Sequence, residues 1–208
     1  MAVFEEGRGF SNACAGGWLS NDTLRATQFK ELADEEVDRA LHGFAQSPPR
    51  FYPICFLYRH ALELMLKEIV RDADDAIESL AICGGLSGTK RREADERPPA
   101  RLNLSHGLGA LLVDHVIPRL QIIDAPTLSP IVHEVITAFD AIDPRGQTFR
   151  YSMDTKGNPT LPEWGRYDLS RIKAAVGDAS RELDRADNWA SITAEQCREY
   201  IGEMMSYT

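Results

Sequence analysis

From Ile54 to Cys83 the chain runs for about thirty residues without a glycine or a proline, and most of those residues are good helix formers. An uninterrupted helix of that length spans about 45 Å, more than the width of a small domain. The rest of the fold has to be arranged along such a rod. At about 100° per residue, with Arg59 at zero, Glu63 falls near 40°, Lys67 near 80° and His60 near 100°, so four ionisable side chains share one strip. The arc from about 200° to 340° carries Tyr58, Ala61, Leu62, Met65, Leu66 and Ile69, a wide apolar face that must be covered. Phe56 and Val70 fall inside the polar strip, and Leu57 and Leu64 flank it on the far side. A helix apolar nearly all round is a buried one, so its charges are expected to line an internal or interfacial cleft, where they are paired or ligand-bound. The open alternative is a solvated face whose Arg59–Glu63 and Glu63–Lys67 pairs each add about 0.2–0.5 kcal/mol.

The remaining segments also read as helical. Residues 1–20 are aperiodic and rich in Gly, Ser and Asn, an N-terminal arm before a single domain over 21–208. Asn21 or Asp22 caps a helix that reaches Phe44, with Phe29, Leu32, Ala33, Val37, Ala40, Leu41 and Phe44 as its stripe, and Pro48-Pro49 turns the chain. Gly84, Gly85 and Gly88 stop the long helix, and the charged stretch to Ala100 reads as a solvated loop. A short apolar helix over 107–117 closes or kinks at Pro118. Ser129-Pro130 opens another that buries Ile131, Val135, Ile136 and Phe139 and ends at Asp143-Pro144. A long loop over 145–166 follows, then two helices, Asp168 to Arg185 and Thr193 to Met205, the second opened by a Thr193/Gln196 capping box. With no strand pattern, the expected fold is an all-α, antiparallel bundle of about five to six helices.

Composition removes several function classes. No apolar run approaches the eighteen or so residues of a membrane span. Glu5 and Glu6 stand where a secretory leader is basic or apolar, so the expected location is cytoplasmic. Cys14, Cys55, Cys83 and Cys197 stand far apart with no histidine at ligand spacing, so free thiols and no metal are expected. A formal net charge of -9 disfavours nonspecific attachment to duplex DNA. RNA or a nucleotide would need a local basic cleft.

Chemistry can reside in a few further places. His106 follows Asn103 and Ser105 at a helix start, as a capping or surface residue or as a group facing the charged strip. His115 and His133 have no carboxylate or thiol partner three or four residues away and read as ordinary helix residues, and His42 reads as a helix-end residue. In DPRGQTFRYSMD, Asp143, Arg145, Arg150, Tyr151 and Asp154 follow a helix end. A guanidinium beside an aromatic ring suits a phosphate or a base, with a carboxylate to orient it, and the alternative is a loop pinned by an Arg–Asp pair. No phosphate-binding glycine loop, nucleophile elbow or zinc motif occurs.

Three ordered blocks, YRHALELMLKEIV at 58–70, LSHGLGALL at 104–112 and FDAIDPRGQTFRYSMD at 139–154, resemble the HEPN family, the higher eukaryote and prokaryote nucleotide-binding helical bundles. The most distinctive block is Arg59-His60-x-x-Glu63-x-x-x-Lys67. The resemblance implies a dimerising four- or five-helix bundle, in many members a metal-independent ribonuclease of toxin–antitoxin or phage-defence systems, acting without a cofactor. Active members carry an Arg followed four to six residues later by a His, a spacing met here by Arg101 and His106. The implied roles are His106 or His60 as acid/base, Arg101, Arg59 or Arg150 as stabilisers of phosphate charge, Glu63 orienting Arg59, and Lys67, Arg150, Tyr151 and Asp154 toward substrate. RNA or a nucleotide, a second copy of the chain and an antitoxin or defence-system protein are the implied partners. The rival reading is a noncatalytic dimerising adaptor whose charged strip holds the bundle together.

Overall fold

The structure is a computed structural model and describes residues 22–42, 50–97, 106–154, 156–161 and 167–206. The expected all-α bundle is what forms. Among the described residues there are six helices and no strand, only an isolated antiparallel bridge between Met153 and Pro159. They are α1 (Asp22–His42), α2 (Phe51–Cys83), α3 (Gly88–Glu96), α4 (108–122), α5 (Pro130–Ile142) and α6 (Leu169–Ser206). None of the described helices is long and apolar enough to cross a membrane.

The central rod is α2, which starts three residues earlier than the glycine- and proline-free run because Pro53 sits in its first turn, where a missing N–H costs nothing. It ends at Gly84, whose left-handed backbone (φ 77°) returns an N–H to the Leu80 carbonyl. Its Ile54, Tyr58, Leu62, Leu66, Ile69, Val70, Ala73, Ala76 and Ile77 are all buried. Each fully buried Leu or Ile contributes about 1.5–3 kcal/mol, far more than a surface charge pair, so packing rather than local pairing fixes this helix. Its most extensive contacts are with α6, then α1. Tyr58 ties it to α1 by donating its hydroxyl proton to Asp34 Oδ1 at 2.6 Å.

Several local expectations are corrected. Only Ala26, Ala33 and Val37 of α1 are buried, while Leu32 and Leu41 are exposed, so α1 covers α2 along a narrow edge. The stretch expected as a solvated loop forms α3, because Lys, Arg, Glu and Ala favour helix and Ala94 finds a buried place. Pro118 does not close α4: Leu108–Ala110 passes into a π-helical turn, Leu111–Val116, and then into Ile117–Ile122. The wider turn, in which Ile117 N–H reaches Leu112 O, accommodates the missing proline donor and its ring. In α5 it is Val132, not Ile131, that completes the buried face. The last two expected helices are one, α6, in 38 residues. Thr193 is not a cap there, since its hydroxyl bonds back to the Trp189 carbonyl inside the helix.

Candidate functional site

The strip on α2 is buried. Arg59 is 3%, Glu63 6% and Lys67 9% exposed, which excludes the solvated-face alternative. Two chain segments close over them. The 106–108 segment is held by Asp140 of α5, whose carboxylate accepts the N–H groups of Leu108 (3.0 Å) and Gly109 (2.7 Å) and so caps α4 from outside. A Cβ on Gly109 would lie 2.6 Å from that carboxylate, so a larger residue there would push the cap aside. The second segment leaves α5 at Asp143, whose Oδ1 accepts the N–H groups of Gln147 (2.6 Å) and Thr148 (2.9 Å).

Arg59 ties the three pieces together. Its Nε donates to the Asp143 carbonyl at 3.1 Å and lies 3.4 Å from Asp143 Oδ2. Its Nη1 donates to Glu63 Oε2 at 3.1 Å, and its Nη2 donates to the His106 carbonyl. The other Glu63 oxygen, Oε1, accepts from Lys67 Nζ at 2.7 Å and meets His106 Nδ1 at 2.9 Å. Burial pushes the Glu63 carboxyl upward, but the hydrogen bonds from Lys67 and His106 prevail and hold it below the usual carboxylate range. An ionised Glu63 requires Nδ1 of His106 to carry a proton, which leaves Nε2 as the free position of the neutral ring. That ring is 53% exposed. A buried carboxylate orienting a reachable imidazole is the acid/base arrangement met in catalytic triads.

Arg150 stands at the rim of this network. Gly146 (φ 68°) separates it from Arg59: a Cβ there would lie 3.0 Å from Arg59 Nη1 and 3.1 Å from Arg150 Nη2. Arg150 donates through Nε to the Gly146 carbonyl, and its guanidinium carbon sits 5.6 Å from the centre of the Phe56 ring. Phe56 in turn stacks on His60 (5.8 Å, 4°), which meets Phe29 edge-on at 4.7 Å. Burial lowers the His60 pKa, Glu63 counteracts this, and Arg150, Lys67 and Arg59 lower it further, so His60 is a neutral ring packed among aromatics.

The structure therefore brings Arg59, His60, Glu63, Lys67, His106 and Arg150 into one neighbourhood. Arg101 lies outside the described residues. Tyr151 is exposed. Asp154 does not orient Arg150: its Oδ1 accepts the N–H groups of Lys156 and Asn158, both at 2.8 Å, and Oδ2 accepts the Asn158 side-chain amide at 3.1 Å. Those bonds, the Asn158 N–H foremost, hold its carboxyl below the usual range and make it the organiser of a turn. The carboxylate that does meet an arginine is Asp143, 1% exposed, whose partner comes from α2 and not from its own loop. Sequence reasoning grouped Asp143 with the loop and passed over Asp140 and Gly146. Two of these signals were local, an acid at a helix end and a glycine between two arginine-bearing segments. Among the described residues no group of three His, Cys, Asp or Glu side chains is arranged to hold a metal ion. No protein-family model, curated protein or solved structure matches the chain.

Proposed function

We propose that this chain is a HEPN-like, metal-independent ribonuclease, with His106 as its acid/base group and Arg150 as the contact to phosphate. The observation that carries the reading is the bond from buried Glu63 to Nδ1 of the exposed His106. In that geometry Nε2 can take the proton of an RNA 2′-hydroxyl as the 2′-oxygen attacks the adjacent phosphorus. The 5′-oxygen then leaves with a proton from an imidazolium, giving a 2′,3′-cyclic phosphate and a 5′-hydroxyl. Arg150 faces the charge that builds on the non-bridging oxygens. Arg59 takes a different part from a phosphate contact: with donors committed to Asp143, Glu63 and His106 and almost no exposure, it positions the others. Three cations, Arg59, Lys67 and Arg150, stand here against the carboxylates of Glu63 and Asp143. Asp140, which holds the N–H groups of Leu108 and Gly109, adds a third carboxylate, so the neighbourhood is balanced on a chain of net charge -9 and a phosphate contact falls to Arg150 at its rim. A second copy of the chain, which would supply a second histidine, and a neutralising protein partner of a toxin–antitoxin or defence system belong to the same reading.

The second reading, a noncatalytic adaptor, is favoured by the saturation of Arg59, which ties α2 to two distant segments as a structural bond would. A cleavage assay separates the two. Purified protein with a chelator present is expected to cut single-stranded RNA to cyclic-phosphate ends, and His106→Ala to lower the rate by about 10²–10⁴. Full activity in that variant would remove His106 from catalysis. A folded wild type that neither cuts nor binds RNA would leave the adaptor.

A further inference from the structure

Beside the Arg59 network, α1 and α2 leave a groove of 420 Å³ between them, lined by Arg25, Gln28, Phe29 and Leu32 of α1 and by His60 and Leu64 of α2. Small-molecule sites span about 300–1,000 Å³, so the groove has room for one ring system. Its lining follows from helical spacing. Arg25, Gln28, Phe29 and Leu32 recur every three or four residues and share one side of α1, as His60 and Leu64 share one side of α2. Leu32 is 44% exposed, an aliphatic side chain left open at the groove. Among the described residues of the lining Arg25 is the one that carries a full charge, and its contact with Asp22 is a loose 3.9 Å.

Two residues of the lining have hydrogen-bonding groups to spare. Neither the His60 ring nor the Gln28 side-chain amide bonds to another described residue. A neutral imidazole offers one donor and one acceptor, and the amide offers donors and an acceptor in one plane. Phe29, which meets His60 edge-on at 4.7 Å, adds aromatic surface beside Leu32 and Leu64. A flat heteroaromatic ring uses all of these at once: its faces take the apolar surface, and its edge takes the amide and the imidazole.

Position decides what kind of ring this is. His60 stacks on Phe56, and Phe56 carries the guanidinium of Arg150 on its ring. Glu63, which holds His106, stands less than one turn from His60 and about 60° around the helix. One aromatic side chain therefore joins the groove to the rim where His106 and Arg150 are exposed. We propose that the groove is a nucleobase subsite: the base next to the phosphate at Arg150 lies against Phe29, Leu32 and Leu64 and turns its edge to Gln28 and His60. The inference rests on the ribonuclease reading for that phosphate, and it gives His60 a part in base recognition instead of proton transfer. Stacking tolerates any base, so selectivity falls to the two edge groups.

The test titrates the full chain with adenosine 5′-monophosphate and with ribose 5-phosphate while the His60 ring protons are followed by NMR. The nucleotide is expected to shift the His60 signals and to bind about 5- to 100-fold tighter than the sugar phosphate, the gain of stacking one base. Leu32→Glu, at an exposed position, is expected to weaken the nucleotide at least about tenfold. His60→Phe keeps a ring between Phe29 and Phe56 but loses its edge, and is expected to weaken it about two- to tenfold. Equal affinity for nucleotide and sugar phosphate, an unmoved His60 signal, or unchanged affinity in both variants would overturn the proposal. So would a dimer that Leu32→Glu takes apart without touching nucleotide affinity, which would assign the groove to a second copy of the chain. None of these readouts uses cleavage. A chain that binds the nucleotide here and leaves RNA intact keeps the subsite and refutes the ribonuclease, whereas one that cuts RNA and fails the titration refutes the subsite alone.

Discussion

Two ionic clusters lie side by side along α2, and the helix treats them oppositely. In the first, Arg59, Glu63 and Lys67 alternate in sign, Asp143 adds a carboxylate, and each group reaches a partner. In the second, little more than one turn on, Glu68 and Asp72 of α2 face Asp184 and Asp187 of α6. That cluster is almost wholly acidic. Asp187 Oδ1 is buried without a hydrogen-bond partner. Burial, reinforced by Asp72, Glu68 and Asp184, pushes the Asp187 carboxyl up to about 7. The nearby counter-charges are taken: Arg71 pairs with Asp22 and Glu68, while Lys30 of α1 acts on Asp184, and Arg198 acts on Asp72. The two clusters thus hold their protons differently, because the first contains its own cations and the second has them only at its edge.

The largest effect is expected where charges of opposite sign are buried together. Glu63→Ala leaves Arg59 and Lys67 as buried charges without their shared carboxylate, and breaking a buried pair in this way costs about 3–5 kcal/mol. Urea denaturation at neutral pH checks it. A change below about 1 kcal/mol would mean that Arg59 and Lys67 relax into water, and the contrast between the clusters would then vanish.

The paired cluster was legible in the sequence, since a strip of charges bounded by Phe56, Val70, Leu57 and Leu64 has no solvated side to occupy. What closes over it was not. Asp143 and the His106 carbonyl reach Arg59 from segments far along the chain, and no local period announces a tertiary partner. The acid cluster was missed altogether, because Glu68 with Asp72 and Asp184 with Asp187 look like ordinary surface spacings until the register between α2 and α6 is known. That register was hidden by reading a break at Thr193 where α6 is continuous. The charges of α3 were taken as a loop for the reverse reason: nearly cancelling signs and an adjacent proline run gave no stripe, although a single buried Ala94 was enough.

A smaller effect, dependent on pH, is expected from Asp187. Its carboxyl in the folded protein titrates near 7 against an ordinary value of 3.8, so the folded chain holds a proton that the unfolded chain releases. The stability linked to that proton is complete below about pH 4 and is lost as pH rises through 7. Glu63 runs the other way: its lowered pKa contributes above the carboxylate range and is lost on acidification. Asp187→Asn removes the charge, so it should change stability least at about pH 4 and below, where the carboxyl becomes protonated in both the folded and the unfolded chain. At pH 8 it should raise stability by about 1–2 kcal/mol, allowing for partial solvent screening. Paired urea titrations at the two values check the sign. Equal effects at both would show that Asp187 is not the proton carrier.

The smallest stability effect sharpens the comparison most, because it tests whether the rim of the first cluster is separate from its paired interior. Arg150 is exposed, with Phe56 and the Gly146 carbonyl as contacts, and its removal leaves no buried charge behind. Arg150→Ala is therefore expected to cost under about 1 kcal/mol in urea denaturation. On the ribonuclease reading proposed above, the same variant should also weaken RNA binding and flatten its salt dependence by the loss of one phosphate contact. If instead Arg150→Ala destabilises the chain as much as Glu63→Ala, the guanidinium belongs to the structural tie. Its neighbourhood with His106 would then be a matter of packing, and the phosphate contact would have to be sought among other basic residues. Small stability loss with lost RNA binding would place the division between scaffold and working surface at Gly146, the one residue thin enough to let two arginines stand back to back.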